Sequence, residues 1–130
     1  DTATVHMKFK SGLKSDIRVS WLNPYKEVKL VISGKSGMIV FDDNKPWSEK
    51  LLLYLYKKKL SSNGIIDIKK ISEKYIAVEE EEPLRNECQH FVRVVEGNLK
   101  PYTNGVEGLK VLKVLSAASL AHEKNEVVKL

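Results

Sequence analysis

Apolar and polar residues alternate from the start of the chain. Ala3, Val5, Met7 and Phe9 fall on one side of residues 2–10, with Thr4, His6, Lys8 and Lys10 on the other. That period of two predicts a half-buried strand. Ser11-Gly12 reads as a turn. Residues 14–22 then alternate again, with Ile17, Val19 and Trp21 opposite Asp16, Arg18 and Ser20. Asn23-Pro24-Tyr25 ends this strand, because proline has no N–H to give a ladder.

A third strand is expected over residues 26–33, with Val28, Leu30 and Ile32 inward. Ser33-Gly34-Lys35-Ser36-Gly37 predicts a hairpin loop whose two glycines are free to take positive φ. Residues 38–42 and 49–57 predict strands that are apolar on both faces, separated by the loop 43–46. The pattern places Ile39, Phe41, Leu52, Tyr54 and Tyr56 on one face and Met38, Val40, Leu51, Leu53 and Leu55 on the other. Ser61-Ser62-Asn63-Gly64 predicts a turn into residues 65–71, and residues 74–80 a last strand. Connections this short favour antiparallel neighbours.

The stretch 82–91, Glu-Pro-Leu-Arg-Asn-Glu-Cys-Gln-His-Phe, marks a change of period. Pro83 suits the first helical position, and the acidic run 79–82 lies where the helix dipole favours carboxylates. Leu84, Cys88, Phe91 and Val95 recur as one apolar stripe, and Gly97 supplies the residue after the helix end. A second helix is expected from Asn104 to about His122. Asn104 with Glu107 resembles a capping box, with Thr103 an alternative cap. Leu109, Val111, Leu112, Val114, Leu115, Ala117, Ala118, Leu120 and Ala121 cover most of its circumference, which predicts burial on more than one side. Residues 127–130 read as a short strand or a frayed end.

The architecture expected is α+β: an open, mostly antiparallel sheet of about six strands, then two helices packed on one face, in a single domain over 1–130. Two helices cover only one face. An apolar face without cover within the chain predicts a homo-oligomer formed through the sheet face.

Composition narrows the class. With 42% hydrophobic and 30% charged residues the chain is that of a globular protein. No apolar run reaches the ~20 residues of a membrane helix, and no signal peptide opens the chain. The single cysteine, Cys88, has no internal partner and is expected to be a small core residue in a reducing compartment, hence a cytoplasmic location. Net charge is +5, from 22 Lys and Arg against 17 Asp and Glu. The lysines are dispersed, arginines are few and aromatics are not interleaved with them, so neither nucleic acid nor membrane is expected as a partner. The chain opens on Asp1, within two residues of a strand, as a piece of something longer would.

No catalytic set is recognisable. Gly34-x-x-Gly37 leads into a strand rather than a helix, so it is not a phosphate loop. The three histidines are far apart and no zinc spacing exists. His6 is expected at the surface, and His122 at the end of the last helix, where the dipole favours a cation. His90 lies three residues after Glu87, which puts both on one helix face. It either pairs with Glu87 beneath a loop or makes a polar contact with a partner domain or ligand. Trp21 with Tyr25 and Lys26 gathers aromatics and a lysine around one turn, an arrangement able to hold a sugar ring or phosphate. The structural alternative is a core-packed Trp21 and a solvated Lys26.

The motifs in order resemble the C-terminal domain of the Gfo/Idh/MocA oxidoreductases. They are Ser20-Trp21-Leu22-x-Pro24-x-Lys26 entering a strand and Gly-rich hairpin, then Glu82-Pro83-Leu84-x-x-Glu87-x-x-His90-Phe91. Pro101-x-Thr103-x-Gly105-x-x-Gly108-Leu109-x-Val111-Leu112 completes the series. The likeness spans nearly the whole chain and is greatest to members acting on nucleotide-linked sugars, such as UDP-N-acetyl-sugar dehydrogenases. The resemblance implies an NAD- or NADP-dependent parent enzyme with an N-terminal Rossmann domain absent here. It implies a C-terminal domain that shapes the site of a sugar or nucleotide-sugar substrate and forms subunit contacts. Trp21, Tyr25, Lys26 and His90 are the candidate substrate contacts. The family's dinucleotide fingerprint, its Glu-Lys-Pro lysine and its Asp-x-x-x-His motif have no counterpart in these residues, so no catalytic or cofactor-binding residue is assigned. A stand-alone, non-catalytic binding or scaffold module is the alternative.

Overall fold

The computed structural model describes residues 1–61 and 64–130. The expected turn at Ser62-Asn63 lies outside the described residues. Six strands precede two helices in chain order: β1 (Thr2–Lys8), β2 (Lys14–Ser20), β3 (Lys29–Ser33), β4 (Gly37–Asp42), β5 (Leu51–Leu60), β6 (Ile66–Ile76), α1 (Pro83–Val95) and α2 (Gly105–Lys124). A single 3-10 turn, Trp47–Glu49, leads into β5. The fold is α+β with antiparallel sheets, as the alternation followed by helical repeats predicts. Its strands form two sheets, β1-β2 and β3-β4-β5-β6.

The chain divides into two compact units. One holds residues 1–20 and 82–130, the other residues 21–81. In the first, β1 and β2 pair over seven positions, Thr2 opposite Ser20 through Lys8 opposite Lys14. Gly12, with φ of +88°, makes the turn possible. His6 lies directly across from Asp16, and the two exposed side chains are joined by a hydrogen bond between Nδ1 and Oδ1. His6 is the surface residue its strand position predicts.

Both helices start where their sequences place them. Pro83 opens α1, and the Glu82 carboxylate accepts the N–H groups of Leu84 and Arg85. Glu82 thus acts as an acidic cap and satisfies two otherwise orphaned donors. Gly97 follows at φ +79°. In α2, Asn104 Oδ1 accepts from Val106 N at 3.0 Å and Glu107 N at 3.1 Å. The Glu107 side chain turns instead to Lys110, 2.7 Å away, so the cap is Asn104 alone and not a reciprocal box. Asn125, in the left-handed region, ends α2 three residues beyond His122. Residues 127–130 add no strand.

Within its unit α1 leaves Leu84, Phe91 and Val95 more than half exposed, and Cys88 is exposed rather than a core residue. Spacing puts Cys88 on the apolar stripe, but nothing inside the unit packs on that stripe. Leu109, Leu112 and Leu115 of α2 are likewise exposed. Its least exposed positions, Val114, Ala117, Ala118 and Ala121, lie on one side only.

The second unit is an antiparallel meander. Its register differs from the alternation-based expectation at one point. Val40 lies opposite Leu52 and Ile39 opposite Leu53. Met38, Val40, Leu52, Tyr54 and Tyr56 therefore share one face, and Ile39, Phe41, Leu51, Leu53 and Leu55 the other. Alternation within a strand fixes its own two faces, but only the pairing decides which face of the neighbour joins which. Both faces are apolar, and no hydrophobic side chain among the described residues is fully buried.

The expected strands 65–71 and 74–80 are one strand, β6. Leu55 pairs with Ser72 and Tyr56 with Lys70, so Ile71 is an extra residue, a bulge that inverts the alternation midway. That inversion mimics a chain break in sequence. At the β3–β4 hairpin neither Gly34 nor Gly37 takes positive φ. Gly37 is needed for space: a Cβ there would lie 2.8 Å from the Tyr54 carbonyl oxygen. The Tyr56 hydroxyl closes the hairpin by donating to the carbonyls of Gly34 and Gly37 at 2.9 and 3.0 Å.

Candidate functional site

The densest polar cluster among the described residues is centred on Asp43, in the turn after β4. The turn forms locally: Asn44 N–H donates to Asp42 Oδ1 at 3.1 Å and Lys45 N–H to the Asp42 carbonyl at 3.2 Å, the aspartate-led geometry such residues favour. It is tied back by the Asp43 N–H, which donates to the Val28 carbonyl at 2.9 Å.

Two lysines converge on the Asp43 carboxylate. Lys26 Nζ reaches Oδ2 at 2.8 Å, and Lys50 Nζ reaches Oδ1 at 2.6 Å and the Asp43 carbonyl at 2.9 Å. Lys50 is 9% exposed, the one buried residue described in the chain. Its ammonium also lies 4.6 Å from the centre of the Trp47 ring, a cation–π contact that shields one side of the charge. A buried ammonium needs such partners. The hydrogen bonds from Lys26 and Lys50 hold the Asp43 carboxyl down at about 2, against partial burial that raises it. At the neighbouring Asp42, burial again works to raise the carboxyl. The Asn44 N–H and the Lys29 ammonium, 3.2 Å away, outweigh it and keep that carboxyl below its usual range.

This cluster settles the environment of three residues singled out in sequence. Lys26 is not simply solvated, because its ammonium is paired to Asp43. Trp21 is 90% exposed, so it is not a core residue of its unit, and Tyr25 is 62% exposed. Neither ring stacks on another ring or receives a cation among the described residues. Residues 21–26 thus present two bare aromatic rings beside a lysine already anchored by Asp43. Such a surface can stack a planar or sugar ring and offer an ammonium to an anion.

His90 belongs to the other unit. It does not pair with Glu87. Its ring stacks on Tyr102, with centroids 4.2 Å apart and planes 1° from parallel, and Nε2 accepts the Tyr102 N–H at 3.3 Å. The loop after α1 carries Tyr102 back along the helix, a placement helical spacing cannot reveal. The partner is non-local, twelve residues on.

Sequence reasoning missed Asp43, Trp47 and Lys50. The turn-forming Asp-Asn-Lys-Pro was legible, but the convergence of lysines from either side of β3 and β4 was not.

A dinucleotide pyrophosphate is held by free N–H groups where a strand passes through glycines into a helix. Here the first donors of α1 are taken by the Glu82 carboxylate, which would repel an anion. Those of α2 are taken by Asn104. α1 follows β6 across residues 77–82, which hold no glycine, and α2 follows α1. These two helix starts do not fit a dinucleotide pyrophosphate. Nor do any three His, Cys, Asp or Glu side chains among the described residues gather to hold a metal ion. An open recess of about 360 Å3 beside α2 is lined mainly by Leu109, Leu112, Leu120, Val128 and Leu130, with Lys113 and Ser116 as its polar residues. No helix among the described residues is long and apolar enough to cross a membrane.

Comparison with known protein families, with curated proteins and with solved structures returned no match.

Proposed function

We propose that this chain is the substrate-side and oligomerisation domain of an NAD- or NADP-dependent sugar or nucleotide-sugar oxidoreductase of the Gfo/Idh/MocA type, acting in the cytoplasm. The observation that carries the proposal is the antiparallel meander β3–β6, residues 29–76, apolar on both faces, lying between the Trp21–Lys26 motif and the Glu82–Phe91 motif. A sheet of this kind serves as a wall. One face is suited to cover by helices or a neighbouring domain, and the other to a subunit contact.

On this proposal the parent enzyme's Rossmann domain binds the dinucleotide and supplies the general base, while hydride passes between a sugar carbon and the nicotinamide. This chain's own residues position the substrate. Trp21 and Tyr25 offer ring faces to the sugar or base, Lys26 a charge to an anionic group, and His90 a contact to substrate or to the Rossmann domain.

Two measurements test the proposal. The sequence encoded upstream of Asp1 in the parent gene is expected to contain a Gly-x-Gly-x-x-Gly unit and an Asp-x-x-x-His motif; a start codon directly before Asp1 would favour the binding-module alternative. Titration calorimetry with NADH against the chain alone is expected to give no tight binding. A submicromolar site would overturn the division of labour.

A further inference from the structure

β6 is the outer strand of its sheet and pairs only with β5 among the described residues. At eleven residues it is long for an edge; it carries neither proline nor glycine, and only its lysines and the bulge at Ile71 interrupt it. An open edge of this length is a template for another strand. Its charges are also sorted along its length. β4 stops pairing at Leu55, so the ends of β5 and β6 project beyond it as a two-stranded arm. There Lys57 lies directly opposite Lys69, with Lys59 next on the same face. Like charges directly opposed are unfavourable. Asp67, across from Lys59, is the one carboxylate on this arm, and no carboxylate among the described residues forms an ion pair with any of the three lysines. Past the other end of β6 stand Glu79 and Glu80, both exposed. Lys69 and Ile76 alone are held about 23 Å apart by seven residues of extended strand.

We infer that β6 pairs antiparallel with β6 of a second copy of this chain. A two-fold axis joins the two four-stranded sheets edge to edge and lays the lysine end of each strand beside the Glu79 and Glu80 carboxylates of the other. A two-fold axis perpendicular to the sheet makes the two edge strands antiparallel and forms both contacts at once. Parallel pairing would set like charge beside like. The inference rests on the oligomerisation part of the proposed function and names the sheet edge, beside the sheet face, as a contact.

The test is sedimentation of the whole chain. The parent is expected to dimerise, with affinity falling as salt rises. A K57E/K69E variant and an E79K/E80K variant should each associate more weakly, on the order of tenfold or more. Mixing the two should restore association near the parent's, since opposite charges then face one another at both contacts. A chain carrying all four substitutions should dimerise by itself. Circular dichroism checks that each variant folds. Amide exchange of the parent above and below its association midpoint provides a measurement free of substitutions, with added protection expected along β6. A monomeric parent, unchanged association in both variants, failure of the mixture to recover, or protection confined to other strands would each overturn the inference. If Ile32→Asp, on the sheet face, abolishes association while the β6 variants do not, the face contact survives and the edge contact falls.

Discussion

Lys70 and Glu73 form an ion pair 2.7 Å long although they stand three residues apart on one strand. In a regular strand they would point to opposite faces. The bulge at Ile71 removes one step of the alternation, so Lys70, across from Tyr56, and Glu73, across from Tyr54, share a face. The hydrogen bond to Glu73, followed by its charge, raises the Lys70 pKa above its ordinary value.

Deleting Ile71 should therefore be tolerated. The pairs on either side, Tyr56 with Lys70 and Leu55 with Ser72, become consecutive, and every other side chain keeps its face. Thermal unfolding should move by no more than about 5 °C, and the Lys70–Glu73 contact should persist by NMR. Deleting Lys74 instead shifts Tyr75 and Ile76 to the wrong faces and should cost far more.

Asp43 predicts an acid dependence with a definite sign. Its carboxyl is held at about 2 in the folded chain, below the ordinary value of 3.8. The stabilisation is thus complete above pH 3.8 and is lost as pH falls toward 2. Asp42, also lowered, adds in the same direction. Urea unfolding at pH 7, 4, 3 and 2 should show stability falling most steeply below pH 4. Asp43→Asn should flatten that slope.

Lys50 combines burial with two hydrogen bonds and the Trp47 ring. Lys50→Met keeps much of the volume but leaves Asp43 with Lys26 as its one ion partner, and should cost about 1–3 kcal/mol in denaturant titrations. Trp47→Leu should cost about 0.5–1 kcal/mol by removing the cation–π contact. Equal stability of Lys50→Met and the parent would show that the cluster is ornamental.

Asn104 caps α2 by two N–H bonds. Asn104→Ala should cost about 1 kcal/mol, and Asn104→Asp should restore most of it. The loss of helical signal on warming reports both.

Trp21 is so exposed that Trp21→Ala should leave thermal unfolding of this chain unchanged. In the parent enzyme the proposed role predicts a raised KM for the sugar substrate. An unchanged KM would remove Trp21 from the site.

Much of this fold was written locally. Strand and helix periods, the proline that opens α1, Asn104 as a cap and Gly97 after the helix all depend on residues within about four positions of one another. Such contacts exist whatever the rest of the chain does, so the sequence alone determined a run of strands followed by two helices. It also marked Trp21, Tyr25, Lys26 and His90 as candidate substrate contacts, with structural alternatives beside them.

Tertiary structure decided what depends on distant partners. Register chose which face of β4 joins which face of β5. Pairing across β5 showed that a bulge, not a break, lies at Ile71, and it placed β1-β2 in a sheet of their own. Lys26 and Lys50 meet at Asp43 from opposite sides in sequence, and Tyr102 rather than Glu87 partners His90. A pattern of polarity records which side of an element is apolar. Only packing in three dimensions determines what that side, or a charge beside it, will meet.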